Sequence, residues 1–244
     1  MISTLERSND RKVANAVKVS SKGLASPRVK NAFGLLAGPQ GSCPDATAFC
    51  VAHCYAGAES NGSEKIFPSV KALVTRNYEA LSSASRDEMI SMLDTMISEF
   101  SAECEKHAAS KLFRIHWDGD FFSGIYAAAW SHVIKAHADV SFWAYTRVGS
   151  AASYLQAQKH ENLSLYFSAD PDNAHVVPEM QRKGIRIAYV ARSFAEAKEA
   201  LPRGVRCPEN NRAIPLISDK GSACRRCGLC IHGRGDVLFS TTKK

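Results

Sequence analysis

Seven of the eight cysteines in this 244-residue chain fall into two groups, one towards each end. Any fold the chain adopts has to gather each group. The first group lies in Ser42–Gly57, SCPDATAFCVAHCYAG, where Cys43, Cys50 and Cys54 form a C-x6-C-x3-C pattern followed at once by Tyr55. The second joins Cys207, in CPEN, to a C-x2-C-x2-C triple at Cys224, Cys227 and Cys230. Three thiols in one short loop exceed what packing needs. A structural zinc takes four ligands, whereas an iron–sulfur cubane held by three cysteines keeps one iron open for a ligand. The four-cysteine group suits a complete cluster. Its triple with a remote Cys-Pro echoes the ferredoxin arrangement more than the paired knuckles of zinc sites. The pattern points to one or two 4Fe–4S clusters. Zinc is the alternative, with His53 completing the first site or His232 replacing a ligand in the second. Arg206, Arg225 and Arg226 flank the second group and would offset a cluster's negative charge. Cys104 stands alone on an apolar helix face and reads as a buried bystander.

Composition narrows the setting. No apolar run approaches the roughly 20 residues needed to span a bilayer, and the polar N-terminus lacks a signal core. The expectation is a cytoplasmic protein without a membrane partner, where clustered thiols bind metal rather than pair with each other. The net charge of +7 divides unevenly: +5 on residues 1–30, −4 on 31–202 and +6 on 203–244. Basic ends on an acidic body suit nucleic-acid contact. They equally suit a solvated tail and cations that balance thiolates.

The rest of the chain alternates strands with helices. Residues 1–30 read as a basic flexible arm, 31–202 as the main α/β domain, and 203–244 as an irregular cysteine-rich segment. Ala32–Ala37 is a first strand. Pro68 opens a helix, and Ser85 with Glu88 forms a capping box for a second one. Met89, Met92, Leu93, Met96, Ile97 and Phe100 are the buried stripe of that second helix. Apolar runs at 112–115, 140–147, 163–168, 185–191 and 237–240 read as further strands, with helices near 124–137, 151–159, 176–183 and 194–200. Strands and helices at this spacing imply parallel crossovers. The fold class is therefore α/β, a partial (open) barrel of about five or six mostly parallel strands, or else a doubly wound sheet. In either, ligands collect at the C-terminal strand ends. His116, Asp118 and Asp120 of HWDGD would lie there and serve proton transfer or ligand anchoring. Gly119 would help to bind a cofactor through its backbone carbonyl, and Arg147, Ser168 and Asp170 through groups suited to a carboxylate or ribose.

CPDATAFCVAHCYA, FRIHWDGDF, FWAYTR and CPEN followed by CRRCGLC, in that order, resemble the phage "gene product 88" family from about Asn31 to the end of the chain. A looser similarity is to radical S-adenosylmethionine (radical SAM) enzymes. In those, three cysteines after the first strand of a partial barrel hold a 4Fe–4S cluster that SAM chelates. The spacing here differs from their usual C-x3-C-x2-C, the aromatic follows the last cysteine, and Gly119-Asp120 stands where a Gly-Gly-Glu motif is expected. The looser resemblance implies an enzyme served by an electron donor, acting in the host cell if the protein is phage-encoded. Two other classes fit the same residues: a non-enzymatic iron–sulfur redox sensor or regulator that binds nucleic acid, and a zinc-binding structural or nucleic-acid-binding protein.

Overall fold

Side-chain alternation along the central strands divides the molecule into two faces. In the computed structural model, residues 4–14, 29–57, 59–218 and 221–242 are described, together with the backbone of 17–19 and 25–27. Two short strands, β1 (Val17–Val19) and β2 (Ala25–Pro27), pair as an antiparallel ribbon. The main sheet takes β3 (Ala32–Gly34), β4 (Leu112–Asp118), β5 (Ser141–Thr146), β6 (Leu163–Ala169), β7 (Arg186–Ala191), β8 (Val205–Arg206) and β11 (Val237–Ser240). Its order is β3-β4-β5-β6-β7-β11-β8, and each pairing is parallel. A further ribbon joins β9 (Ile217–Ser218) to β10 (Gly221–Ser222).

The sheet is open and does not close into a barrel. Its strands advance in one direction from β3 to β7, so the doubly wound alternative, in which the order reverses, does not apply. It has seven strands rather than five or six. The extra one is β8, a two-residue edge strand too short for any periodicity to reveal.

On one face, Phe113, Ile115, Phe142, Ala144, Leu165, Phe167, Ile187 and Leu238 pack under the helices. The main ones are α4 (Arg86–Lys106), α5 (Gly124–Ala136), α6 (Gly149–Ala157), α7 (Val177–Arg182) and α8 (Phe194–Ala200). The α4 capping box is complete, and the methionine-rich stripe beneath it is buried as the 3.6-residue period requires. Cys104 is fully buried on the same helix, its thiol 3.7 Å from the Ser110 carbonyl. Before α4 come α1 (Ala48–His53), α2 (Ser63–Ile66) and α3 (Pro68–Ser82), the last with proline in its first turn.

The alternate residues of the same strands, Leu112, Trp143, Tyr166, Ala188 and Val237, face the other way. Among the described residues no long helix covers them. They pack instead against Val13 from the N-terminal arm and against Cys207 and Cys230, with Cys224, Leu229 and Ile231 beside them. The short α9 (Ala223–Cys227) belongs to this cover. Both termini therefore act as the second layer of the sheet.

Residues 4–14 are accordingly docked rather than flexible. Leu5 and Val13 are buried, Ser8 pairs with Ala32 across an antiparallel bridge, Arg7 pairs with Glu103 at 2.7 Å, and Asp10 pairs with Arg114 at 2.6 Å. Of the remaining arm, the β1–β2 backbone and residues 29 and 30 fall within the described residues, Val29 buried.

Candidate metal sites

The β3–β4 pairing carries a bulge: Ala32 faces Arg114, but Gly34 faces Asp118, so two β3 steps span four on β4. His116 sits in that bulge with φ +57°. Its ring turns into the helix-side core, with Nε2 2.8 Å from the Tyr126 hydroxyl and Phe33, Phe121 and Trp130 around it. Burial, with the Arg114 charge adding, pushes its pKa down to about 3. The ring is thus walled by aromatics, with its Nδ1 buried and without a hydrogen-bond partner. β4 itself continues to Asp118, so the strand-end loop begins at Gly119 rather than at His116.

Gly119 has φ +78°, and a Cβ there would come within 2.8 Å of Leu35, so glycine is required. The turn lets the Asp120 N–H reach Ser42 Oγ at 3.0 Å, which ties the strand end to the start of the thiol loop. The Asp120 carboxylate is buried and accepts from Thr146 Oγ1 at 2.6 Å and the Arg147 N–H at 2.7 Å. Asp120 thus joins the ends of β4 and β5.

The far side of the loop is tied to β6. Thr47 caps α1 by accepting from the Cys50 N–H at 3.0 Å, and its hydroxyl donates to Asp170 Oδ2 at 2.6 Å. The Phe49 N–H donates to Asp172 Oδ2 at 2.8 Å. Arg147 and Asp170 form a buried ion pair. Ser168 is half-buried on β6, and its carbonyl accepts from Asn173 Nδ2 at 3.2 Å. The expected convergence at the strand ends is therefore present for Cys43, Cys50, Cys54, Asp118, Asp120, Arg147 and Asp170. Arg147, Asp120 and Asp170 already satisfy one another there.

Cys43, Cys50 and Cys54 are near enough to affect one another's ionisation. Burial pushes all three thiols above the usual range. At Cys43 the Asp120 carboxylate adds to this, and at Cys50 the Arg147 guanidinium opposes it with its charge and a hydrogen bond. At Cys54 the backbone N–H groups of Gly57 and Ala56 oppose it, the Gly57 nitrogen lying 3.1 Å from Sγ. Cys50 raises both of its neighbours. His53 is exposed and packs on the Phe49 ring at 4.6 Å between centroids.

The C-terminal thiols also converge. The Cys207 N–H donates to the Leu238 carbonyl at 2.9 Å, and the Cys224 N–H to the Lys12 carbonyl at 3.0 Å. Gly228 closes α9 in the left-handed conformation with φ +67°. The Cys230 carbonyl accepts from Ser164 Oγ at 2.6 Å. Burial pushes the Cys224 thiol well above its usual range and that of Cys230 up to about 12. Cys207 raises both, and Cys227 also raises Cys230. The cations that act on this group are Lys12, on Cys207 and Cys224, and Arg114, on Cys230. Arg225 instead reaches Ser110 at 2.6 Å, Arg226 is exposed, and Arg206 lies over the Phe194 ring at 5.6 Å. His232 is exposed beside Gly228.

All eight cysteines are free thiols. Among the described residues, no three or more His, Cys, Asp or Glu side chains stand close enough to hold a single metal ion. No described helix is long and apolar enough to cross a membrane.

These features define an open, parallel α/β protein with one thiol group at its strand ends and a second on the sheet face opposite the helices. The chain belongs to the gene product 88 family, whose model matches residues 3–233. It is 55% identical to the gene 88 protein of Mycobacterium phage L5, over 98% of this chain and 99% of the relative. Identity is also 55% to the gene 88 protein of Mycobacterium phage D29, over the whole of both chains. No solved structure matches the chain. The looser similarity to radical SAM enzymes finds no support in these comparisons.

Sequence reasoning passed over Arg114, Glu64, Lys12 and Tyr145. Arg114 had a signal: a lone cation inside the apolar run LFRI has to be buried with a partner or end the strand. Glu64 had none, because a two-residue offset from Gly62 says nothing about burial.

Proposed function

We propose that this protein is an iron–sulfur protein, with Cys43, Cys50 and Cys54 holding a cluster that keeps one iron open, and Cys207, Cys224, Cys227 and Cys230 holding a second. The observation that carries the reading is the state of the thiols. Within each group the thiols act on one another's ionisation, Cys207 and Cys230 being buried and the other members half-buried. Buried thiols with raised pKa values stay protonated without a metal, and metal binding is what deprotonates them.

When bound, an open-site cluster would supply one-electron chemistry and a coordination position for a ligand. The chain's own groups do the rest. Arg147 stabilises the Cys50 thiolate, Gly57 and Ala56 donate to Cys54, and Asp120 with Asp170 fixes the loop on three strand ends. S-adenosylmethionine is one candidate ligand for the open position, which would make the protein an enzyme that needs an electron donor. Such a ligand would not draw on Arg147 for its carboxylate, because that guanidinium is paired with Asp170. Anaerobic reduction with SAM, followed by assay for its cleavage products, tests this. Cleavage lost in Cys50→Ser and retained in Cys227→Ser would support it, and equal cleavage in parent and Cys50→Ser would defeat it.

A sensor or regulator that binds nucleic acid is the second reading. Its basic ends are partly engaged already, Arg7 with Glu103 and Lys12 with Glu209. It requires binding whose affinity falls steeply with salt. Zinc at the C-terminal group is the remaining alternative.

A further inference from the structure

Towards the β8 edge of the sheet, the helix layer is too short for the strands beneath it. α7 has six residues and stops at Gly184, which takes φ +75°, and α8 has seven and stops before Pro202. Six helical residues rise about 9 Å, whereas the six of β7 span about 20 Å. A groove of about 470 Å³ remains between the two helices over β7. Ala174 lies beyond the C-terminal end of β6, and Arg203 and Asp236 precede β8 and β11, so the groove runs along the strands.

The walls are apolar: Val177 and Leu201 are buried there, with Pro178 and Ala200 exposed at the rim. The floor is not. Tyr189, on the helix side of β7, is 4% exposed, and its hydroxyl makes no hydrogen bond among the described residues. A buried tyrosine hydroxyl ordinarily finds a partner. Arg203 is exposed and has no ion pair or hydrogen bond among the described residues. Asp236 differs, because its Oδ1 accepts the Ile187 N–H at 2.7 Å and its Oδ2 accepts from Gln181 Nε2 at 3.0 Å. The acid of the groove is satisfied, and the donors of Tyr189 and Arg203 are not.

We propose that this groove binds a small amphipathic acid, with its apolar body against Val177 and Leu201, a neutral acceptor on Tyr189 and its carboxylate on Arg203. The volume lies within the range of small-molecule sites. A guanidinium suits a carboxylate through paired N–H donors. Burial raises the Tyr189 hydroxyl above its usual range, and the charges of Asp170 and Glu196 add to this. Those charges disfavour a further anion at Tyr189, which leaves the carboxylate to Arg203. The groove lies on the face opposite the C-terminal thiols and uses neither thiol group, so it stands whether or not the cluster reading does.

The test is calorimetric titration of the full chain with hexanoylglycine, with its neutral amide and with hexylammonium. Hexanoylglycine is expected to bind at one site, about tenfold tighter than the amide, and hexylammonium not to bind. Arg203→Gln should remove the preference over the amide. Tyr189→Phe should weaken both by about fivefold. Ala200→Trp, at an exposed rim position, should block the groove and abolish binding with the circular dichroism unchanged. If Tyr189→Phe fails to fold, Arg203→Gln and Ala200→Trp still decide, since both positions are exposed. Absence of saturable binding at millimolar hexanoylglycine would overturn the proposal, as would full affinity in Ala200→Trp. Tighter binding of hexylammonium would do the same, by giving the site to Asp236. So would self-association of the parent that Ala200→Trp removes, because the occupant would then be a second copy of the chain.

Discussion

Arg114 Nη2 donates to the Tyr55 hydroxyl at 3.1 Å, a contact between the neighbour of Cys54 and a cation that acts on Cys230. Tyr55 directly follows Cys54, and its hydroxyl donates to the Trp117 carbonyl. Nη1 of the same arginine holds Asp10 of the N-terminal arm at 2.6 Å. Its guanidinium lies 5.0 Å from the Trp143 ring and 5.8 Å from that of Tyr145, and Tyr145 hydrogen-bonds with Cys230. One buried cation therefore joins the strand-end loop, the arm and the C-terminal segment.

Arg114→Met should destabilise the protein by about 3–5 kcal/mol, since it strands the Asp10 carboxylate in a site where both side chains are only 9% exposed. Combining it with Asp10→Leu should restore part of that loss. Denaturant unfolding of both singles and the double gives the coupling energy, and additive losses would mean that the pair is not the link described.

Breaking the Arg147–Asp170 pair should act on the first thiol group alone. Asp170→Asn leaves a buried guanidinium short of its counter-charge and weakens the Thr47 tie to α1, at about 3 kcal/mol or more. Iron bound at Cys43, Cys50 and Cys54 should fall while the C-terminal group keeps its content. Equal loss at both would place the defect in the whole fold.

Burial pushes Asp118 up to about 8, with Glu64 adding to it against the Gly119 N–H and the Arg114 charge. The native state therefore holds a proton that the unfolded chain releases near the ordinary carboxylate value. This contribution to stability is fully present below about pH 4 and is lost as pH rises through about 8. Asp118→Asn should flatten that decline, recovering about 2 kcal/mol or more at pH 9 relative to the parent. Parallel pH curves for the two proteins would contradict it.

The alternation and caps of the main elements were legible because local physics sets them. Ser85 and Glu88, Pro68 and the α4 stripe each act within a few residues of themselves. The strand-end position of the thiol loop followed from the parallel crossovers. The bulge at His116 was not legible. It arises from β3–β4 pairing across almost eighty residues of chain, and it decides that the imidazole faces the core. The docking of residues 4–14 was hidden for the same reason: Ser8, Asp10 and Val13 acquire partners only once the sheet face exists. Arg206, Arg225 and Arg226 looked like the cations of the second thiol group because they adjoin it in sequence, whereas Lys12 and Arg114 reach it through space.

Removal of the cations that do act on the C-terminal group offers another check. Lys12→Met should remove a cation that favours the Cys207 and Cys224 thiolates and shift the redox potential of a bound cluster downward. Voltammetry of parent and variant would show it, and an unchanged potential would remove Lys12 from the site.

The most direct test of the central claim is the content of iron, acid-labile sulfide and zinc per chain after anaerobic purification, with the optical spectrum near 400 nm. The account predicts about eight irons with matching sulfide and a brown protein, falling by about four in Cys50→Ser and, independently, in Cys227→Ser. A colourless protein with stoichiometric zinc, or with no metal at all, would contradict it.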